Sequence, residues 1–338
     1  MSDMAATDYE RFAHAALPHY GLDSATVTLL SYSENGTFLV ESETGRQVLR
    51  VHRPGYHSLA AIESELDWME SLRRDSAIAT PQVIPAPDCR RVVEVRIGDE
   101  TRLVDLFTFV PGTIAEDDAS DISFSELGAI TATLHEHVQR WQRPETFTRF
   151  RWDLDTMLGA AGRWGDWRDA PALSAADAAV IEEAERKVIE RLTDYGMGPE
   201  RFGLVHADLR MSNLMVAGGK ITVIDFDDCG WSWYLADLGA VVSFVEDTPD
   251  AARIIDEWLA GYRSVRDIPA ADLAEIPTFV MLRRLMLTAW IGSHPESGPA
   301  QTLGPRYASG TAQLAQAYLT DPSWFRVDVP AAAPTLAH

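Results

Sequence analysis

The chemistry-bearing residues are concentrated in two neighbouring stretches, Leu204-Val205-His206-Ala207-Asp208-Leu209-Arg210-Met211-Ser212-Asn213 and Ile221-Thr222-Val223-Ile224-Asp225-Phe226-Asp227-Asp228. A short apolar run delivers His206 and Asp208 into a loop, Asn213 stands five residues after Asp208, and a hairpin around Gly218-Gly219 leads to Asp225. Such a set suits phosphoryl transfer. That reaction needs a carboxylate to orient an attacking hydroxyl and take its proton, and hard oxygen ligands for a Mg²⁺ ion that neutralises phosphate charge. Asp208 fits the first task, and Asn213 with Asp225 the second. His206 fits a scaffold role, holding the loop through its ring nitrogens. Asp and Asn also cap turns, so either triplet alone reads as a turn. It is the joined order and spacing that favour chemistry.

The pattern H-x-D-x-x-x-x-N followed by a metal-binding Asp is that of kinases. In detail the chain resembles the aminoglycoside phosphotransferase and choline kinase group of the protein-kinase-like superfamily. The run Ile224-Asp225-Phe226-Asp227-Asp228-Cys229-Gly230, with Trp233 and Asp237-Leu238 after it, is similar to the branch holding homoserine kinase type II, hydroxylysine kinase and stress-response kinase A. The resemblance covers about residues 25–295. It implies an α+β, bilobal protein-kinase-like fold: a small antiparallel β-sheet N-lobe with one main helix, and a larger, mainly helical C-lobe. It also implies ATP as co-substrate and Mg²⁺ as cofactor.

Further site residues follow from the resemblance. Arg50 stands where the family usually has lysine, a cation that grips the nucleotide's α- and β-phosphates. Arginine offers a bidentate fork there instead of a point charge. Glu65 is the expected partner of Arg50 and Glu63 the competitor; about 200° of helix rotation separates the two, so only one can face the strand. Ser33, in the Ser33–Phe38 loop, could touch phosphates with the loop's N–H groups, a plain hairpin turn being the alternative. Backbone around Asp105–Val110 is expected to hold adenine. Asp227 could approach a second metal or a substrate cation, or be a solvated loop acid, and Asp237 resembles the family's buried structural Asp. Trp152, Trp164, Trp167, Trp231 and Trp233 could cradle an ammonium group, with core packing favoured. Arg283, Arg284 and His294 read as a solvated helix face more readily than as substrate contacts.

Stepwise along the chain, Asp8–Tyr20 reads as a short helix, and Ala25–Leu30, Thr37–Glu41 and Gln47–Val51 as strands. Leu59–Arg73 has amphipathic spacing. Val92–Arg96 and Thr101–Phe109 alternate as a hairpin about Gly98. Beyond Pro111-Gly112 come an acidic stretch, Glu116–Asp121, and helices over Phe124–Trp141, Leu173–Asp194, Ala251–Tyr262 and Ile276–His294. Between them, Phe202–Val205 is a short apolar run, and Asn213–Val216 with Lys220–Ile224 form a hairpin. The division expected is an N-terminal nucleotide-clamping lobe over 1–108, a hinge at about 106–112, a catalytic and substrate lobe over 109–329 with the acceptor in its acidic cleft, and a frayed tail over 330–338.

Composition narrows the partners. The 338 residues carry 51 acids against 29 lysines and arginines, a formal charge of −22. That balance repels nucleic acid and anionic membranes. It steers cations, and it also keeps a protein in solution. Cys89 and Cys229 form no metal motif, and the start MSDMAATDYERF lacks a basic region followed by an apolar run, so a reduced, cytoplasmic protein is expected. The function expected is transfer of the γ-phosphoryl group of ATP to a hydroxyl of a small, amine-bearing molecule. The chain lacks an A-P-E segment and a long activation loop, which argues for such an acceptor. A Ser/Thr protein kinase of the stress-response type, or a pseudokinase binding protein, are the alternatives. A homodimer is left open.

Overall fold

A computed structural model describes residues 2–32, 35–117, 122–159 and 162–321. The contacts divide the chain into two compact units. One comprises Met1–Ile122, Leu134–Arg151 and Leu204–Trp231; the other comprises Ser123–Thr133, Trp152–Gly203 and Ser232–His338. This division and the one read from the sequence are drawn at different places: stretches well beyond residue 108 belong with the sheet, among them the segment carrying Asp208, Asn213 and Asp225.

The first unit begins with helix α1 (Ser2–Ala16), then strands β1 (Thr26–Tyr32), β2 (Gly36–Ser42) and β3 (Gly45–Val51). Helix α2 (Leu59–Asp75) follows, then β4 (Val92–Ile97) and β5 (Glu100–Thr108). The five strands form one antiparallel sheet in the order β1-β2-β3-β5-β4. Alternation sorts its faces. Phe38, Val40, Leu49, Val51, Val93, Val95, Val104 and Leu106 point to one side and bury against Phe12, Ala13 and Ala16 of α1. Arg50 and Asp105, the residues between, therefore project from the opposite side. Ser58 caps α2 by accepting from the Ala61 N–H, which fixes the rotational phase of the helix.

The same unit holds a second, three-stranded sheet, β6 (Thr113–Ile114), β8 (Leu214–Ala217) and β9 (Lys220–Val223), in the order β6-β8-β9. Strand β7 (Phe202–Val205) runs into the loop bearing His206 and Asp208, and β10 (Gly230–Trp233) comes after the Asp225 segment. Helix α3 (Phe124–Arg140) contributes residues to both units.

The second unit is helical: α4 (Leu154–Met157), α5 (Ala175–Tyr195), α6 (Ala236–Val241), α7 (Asp250–Arg263), α8 (Ala270–Leu273), α9 (Ile276–Ser293) and α10 (Gly298–Thr320). A Cβ on Gly261 of α7 would lie 1.7 Å from the Ser125 carbonyl oxygen, and one on Gly128 of α3 would lie 2.0 Å from that of Trp258, so glycine is what lets these helices approach. Arg283 and Arg284 correct the expectation of a solvated face: both are buried. Arg283 donates from Nε to Ser243 (2.9 Å). Arg284 donates to Thr311 (2.8 Å), Glu246 (2.9 Å) and Asp247 (3.2 Å), with its guanidinium 3.7 Å from the Tyr307 ring centre. Trp152, Trp164, Trp167 and Trp233 are core residues of this unit. The Trp167 indole N–H meets Glu185 and that of Trp233 the Gly196 carbonyl. Asp237 is buried as well. Helix α10 was not legible in the sequence, because Gly298-Pro299, Gly304-Pro305 and Gly310 punctuate it with helix breakers. Among the described residues no helix is long and apolar enough to cross a membrane. Residues 118–121 of the acidic stretch and the whole 330–338 tail lie outside the described residues.

Candidate active site

The loop after β7 is drawn tight by its own side chains. His206 bonds the Ile224 carbonyl through Nε2 (3.1 Å) and lies 4.6 Å from Phe226, ring centre to ring centre. Asn213 ends a turn of 3₁₀ helix and donates from Nδ2 to both the backbone oxygen (2.8 Å) and the carboxylate Oδ2 (3.0 Å) of Asp208. The Ile224 N–H then bonds the Asn213 carbonyl (3.0 Å), which brings the start of the Asp225 segment onto the same loop. Arg210, which the sequence reading passed over, donates from Nε to Asp208 Oδ2 at 3.3 Å and braces the carboxylate. Ala207 and Asp225 both have left-handed backbone, φ 69° and 61°, a conformation that non-glycine residues hold where surroundings impose it and that concentrates at functional sites.

Asp225 is exposed, although much protein surrounds its carboxyl. That crowding, which strips water from the charged form, and then the neighbouring carboxylates Asp227 and Asp208, push its carboxyl up to about 7. Asp208, Asn213 and Asp225 are thus gathered in one unit, presenting oxygen donors only. This set fits a hard divalent cation: Asn213 uses its amide N–H on Asp208 and keeps its carbonyl oxygen as an acceptor, and Asp225 sits among negative charges that a cation would relieve. No group of three or more His, Cys, Asp or Glu among the described residues could hold a metal. A nucleotide-bound Mg²⁺ takes only one or two protein ligands, so the two observations do not conflict.

Arg50 is largely buried on the α2 side of the sheet, its side chain keeping 10% exposure. Its NH1 donates to Glu65 Oε1 (2.8 Å), while Nε and NH2 fork onto Asp105 Oδ1 (3.1 Å) and Oδ2 (2.7 Å). Glu65 is the helix acid that meets it; Glu63 turns to Arg91. Asp105 sits opposite Arg50 in the β3–β5 register and also takes His52 Nε2 at 3.1 Å. Burial alone would raise the Asp105 carboxyl; the Arg50 and His52 charges outweigh it and hold it down at about 2. Strand β5 is flanked by β3 over 104–108 and by 82–84 through the Ile84–Leu106 and Thr108–Gln82 bonds. Much of the proposed adenine-holding backbone is therefore already paired. Ser33 lies outside the described residues; Asn35, in the same loop, accepts the Arg53 N–H (2.9 Å).

Asp227 is not a solvated loop acid. It is buried, with Arg50 NH1 and His52 Nδ1 at 3.9 Å, Arg53 NH2 at 3.6 Å and His57 Nε2 at 3.5 Å from its carboxylate. Burial would raise its carboxyl, but the close approach of His57 and the surrounding charges hold it far below the usual range. The β3–α2 loop grips this segment further. His57 bonds the Asp227 carbonyl (2.8 Å) and stacks on Phe150, and Tyr56 donates to Asp228 (2.7 Å). Arg149, fully buried, donates to the carbonyls of Cys229 (2.6 Å), Ala61 (3.1 Å) and Asp227, and lies 3.8 Å from Glu65. These partners are up to 172 residues apart, so local spacing gave no sign of them.

Known proteins are similar to this chain in sequence and fold. The model of the phosphotransferase enzyme family matches residues 26–273. A solved microcompartment-associated aminopropanol kinase is 47% identical, with a TM-score of 0.86 over 93% of this chain and 98% of that one. Amicoumacin kinase of Bacillus subtilis (strain 168) is 24% identical over 290 residues, 82% of this chain and 83% of its own length. A solved amicoumacin kinase in complex with AMP-PNP, Ca²⁺ and Ami shares the fold, at 22% identity and a TM-score of 0.70 over 85% of this chain and 88% of that one. The bilobal kinase-like fold read from the sequence is the fold of these relatives, and by the span of the family match this chain belongs to the phosphotransferase enzyme family.

Proposed function

We propose that the chain is a small-molecule kinase that moves the γ-phosphoryl group of ATP to the hydroxyl of a short amino alcohol of the aminopropanol type. The observation that carries this reading is the hydrogen-bonded union of Asp208, Asn213 and the Asp225 segment, together with 47% identity to an aminopropanol kinase. A protein acceptor is disfavoured by the same relatives, which act on small molecules.

In this reading Asp208, braced by Asn213 and Arg210, accepts a hydrogen bond from the acceptor hydroxyl. As the new O–P bond forms and the bond from the γ-phosphorus to the β–γ bridging oxygen breaks, the hydroxyl proton passes to Asp208 and ADP leaves. Asn213 and Asp225 are the residues that would hold Mg²⁺, whose charge offsets that of the phosphates when bound. Arg50, fixed by Glu65, directs N–H groups at the α- and β-phosphates. The net charge of −22 raises the local concentration of an ammonium-bearing acceptor and disfavours nucleic acid.

The test is acceptor-dependent ADP release with ATP and Mg²⁺ across 1-amino-2-propanol, ethanolamine, 3-aminopropanol, choline, homoserine and casein. The expected result is the highest kcat/KM with a short amino alcohol and a phosphate monoester as product. Turnover with casein alone would move the assignment to a protein kinase, and nucleotide binding without any transfer would move it to a pseudokinase.

A further inference from the structure

The buried fork between Arg50 and Asp105 makes a demand that a lysine could not meet. A guanidinium has five N–H bonds in one plane. Here Nε and one N–H of NH2 go to the two oxygens of Asp105, and one N–H of NH1 goes to Glu65. The Asp227 carboxylate lies 3.9 Å from NH1, beyond hydrogen-bond reach, so one N–H on each terminal nitrogen remains for an oxygen of the nucleotide. The two carboxylates come from different elements, β5 and α2, and both are completely buried. Glu65 has a second cation beside it, Arg149 at 3.8 Å. Asp105 has only His52 besides Arg50 among its hydrogen-bond partners in the described residues. A lysine at position 50 would place a single nitrogen, without a plane, between the two acids, and would leave a carboxylate in a dry site short of partners.

We infer that Asp105 is a positioning residue for nucleotide binding: its side-on grip sets the plane of the Arg50 guanidinium and is what makes an arginine serve on β3. This rests on the reading of Arg50 as the phosphate-gripping cation. The parity of the sheet supports it. Arg50 and Asp105 are register partners on the face opposite α1, so the fork is built by strand pairing and needs no loop to hold it. The plane set by β5 then decides where the two remaining N–H bonds point.

The experiment uses Arg50→Lys, Asp105→Asn, Arg50→Lys/Asp105→Asn and Arg50→Met in the full chain. Affinities for Mg·ATP and for adenosine are measured by calorimetry beside the melting temperature of each variant. Arg50→Lys should weaken Mg·ATP by about tenfold or more, the worth of one charge-assisted hydrogen bond, and leave adenosine unchanged. The double variant should regain Mg·ATP affinity to within about threefold of the parent, because the lysine then faces a neutral amide on β5 in place of an unpaired charge. A purely structural Asp105 would shift adenosine and ATP together and would give no such recovery. A double variant that binds no tighter than Arg50→Lys, or that fails to fold where Arg50→Lys folds, overturns the proposal. Unchanged Mg·ATP affinity in Arg50→Met would instead remove Arg50 from the phosphates, and the role of Asp105 with it.

Discussion

Replacing Asp208 by asparagine changes one atom at the centre of the site. The parent carboxylate receives Asn213 Nδ2 at 3.0 Å and Arg210 Nε at 3.3 Å, both on Oδ2. An asparagine keeps one carbonyl oxygen for those donors and nearly the same volume, so the loop should survive. What it lacks is an oxygen able to take a proton. Positioned proton transfer contributes about 10²- to 10⁴-fold, which at about 1.36 kcal/mol per tenfold is about 2.7–5.5 kcal/mol of barrier. Nucleotide binding should move the other way, if at all, because Asp208 is one of the charges that raise Asp225. Removing that charge leaves Asp225 more readily ionised for a cation. Steady-state ADP release at saturating ATP and 1-amino-2-propanol gives kcat, and calorimetry gives the Mg·ATP affinity. A kcat within about tenfold of the parent, or a loss lying wholly in nucleotide affinity, would refute the proton-acceptor role.

Other outcomes follow from the same structure. Asp225 has a folded pKa of about 7, above its ordinary value of 3.8, so the folded state binds more protons between those values and the metal-free protein loses stability as pH rises from 4 to 7. Asp225→Asn should therefore melt higher than the parent at pH 8, equal it near pH 3.5, and bind Mg·ATP more weakly; equal melting at pH 8 would count against the crowding described. Arg284→Met leaves Glu246 buried without its cation and should cost about 3–5 kcal/mol in urea unfolding, much of it restored by adding Glu246→Gln; a loss under about 1 kcal/mol would show the pair to be dispensable. Gly261→Ala puts a methyl carbon 1.7 Å from the Ser125 oxygen and should destabilise by about 1–3 kcal/mol or more, so an unchanged melting temperature would contradict that helix contact.

Legibility in the sequence followed the range of the interaction. The pattern of Asp208, Asn213 and Asp225 is legible because the contacts that join its two segments span at most 18 residues, and a loop, a turn and a hairpin carry the geometry. Helix α2, β7 and α9 start where periodicity and the apolar runs place them. Asp105 stayed hidden because β5 adds beside β3 across 55 residues, and strand register is not written in either strand alone. Arg149, Tyr56 and His57 stayed hidden for the same reason: each is an ordinary polar residue until the fold brings the Asp227 segment to it. Arg283 and Arg284 misled because charge normally marks a wet face. Helix α9 is buried nearly all round and carries them inside by giving them Ser243, Glu246 and Thr311 as partners.

The grip of the β3–α2 loop on the Asp225 segment has a physiological corollary. Where that stretch can swing away, an enzyme can be throttled by tagging the stretch with a charged group. In this protein Tyr56 holds Asp228, His57 and Arg149 hold the backbone at 227 and 229, and buried charges hold the Asp227 carboxylate from several directions. A stretch anchored in this way offers no slack for a switch of that kind to act on. Phosphatase treatment of protein taken from its native cells should leave kcat where it was.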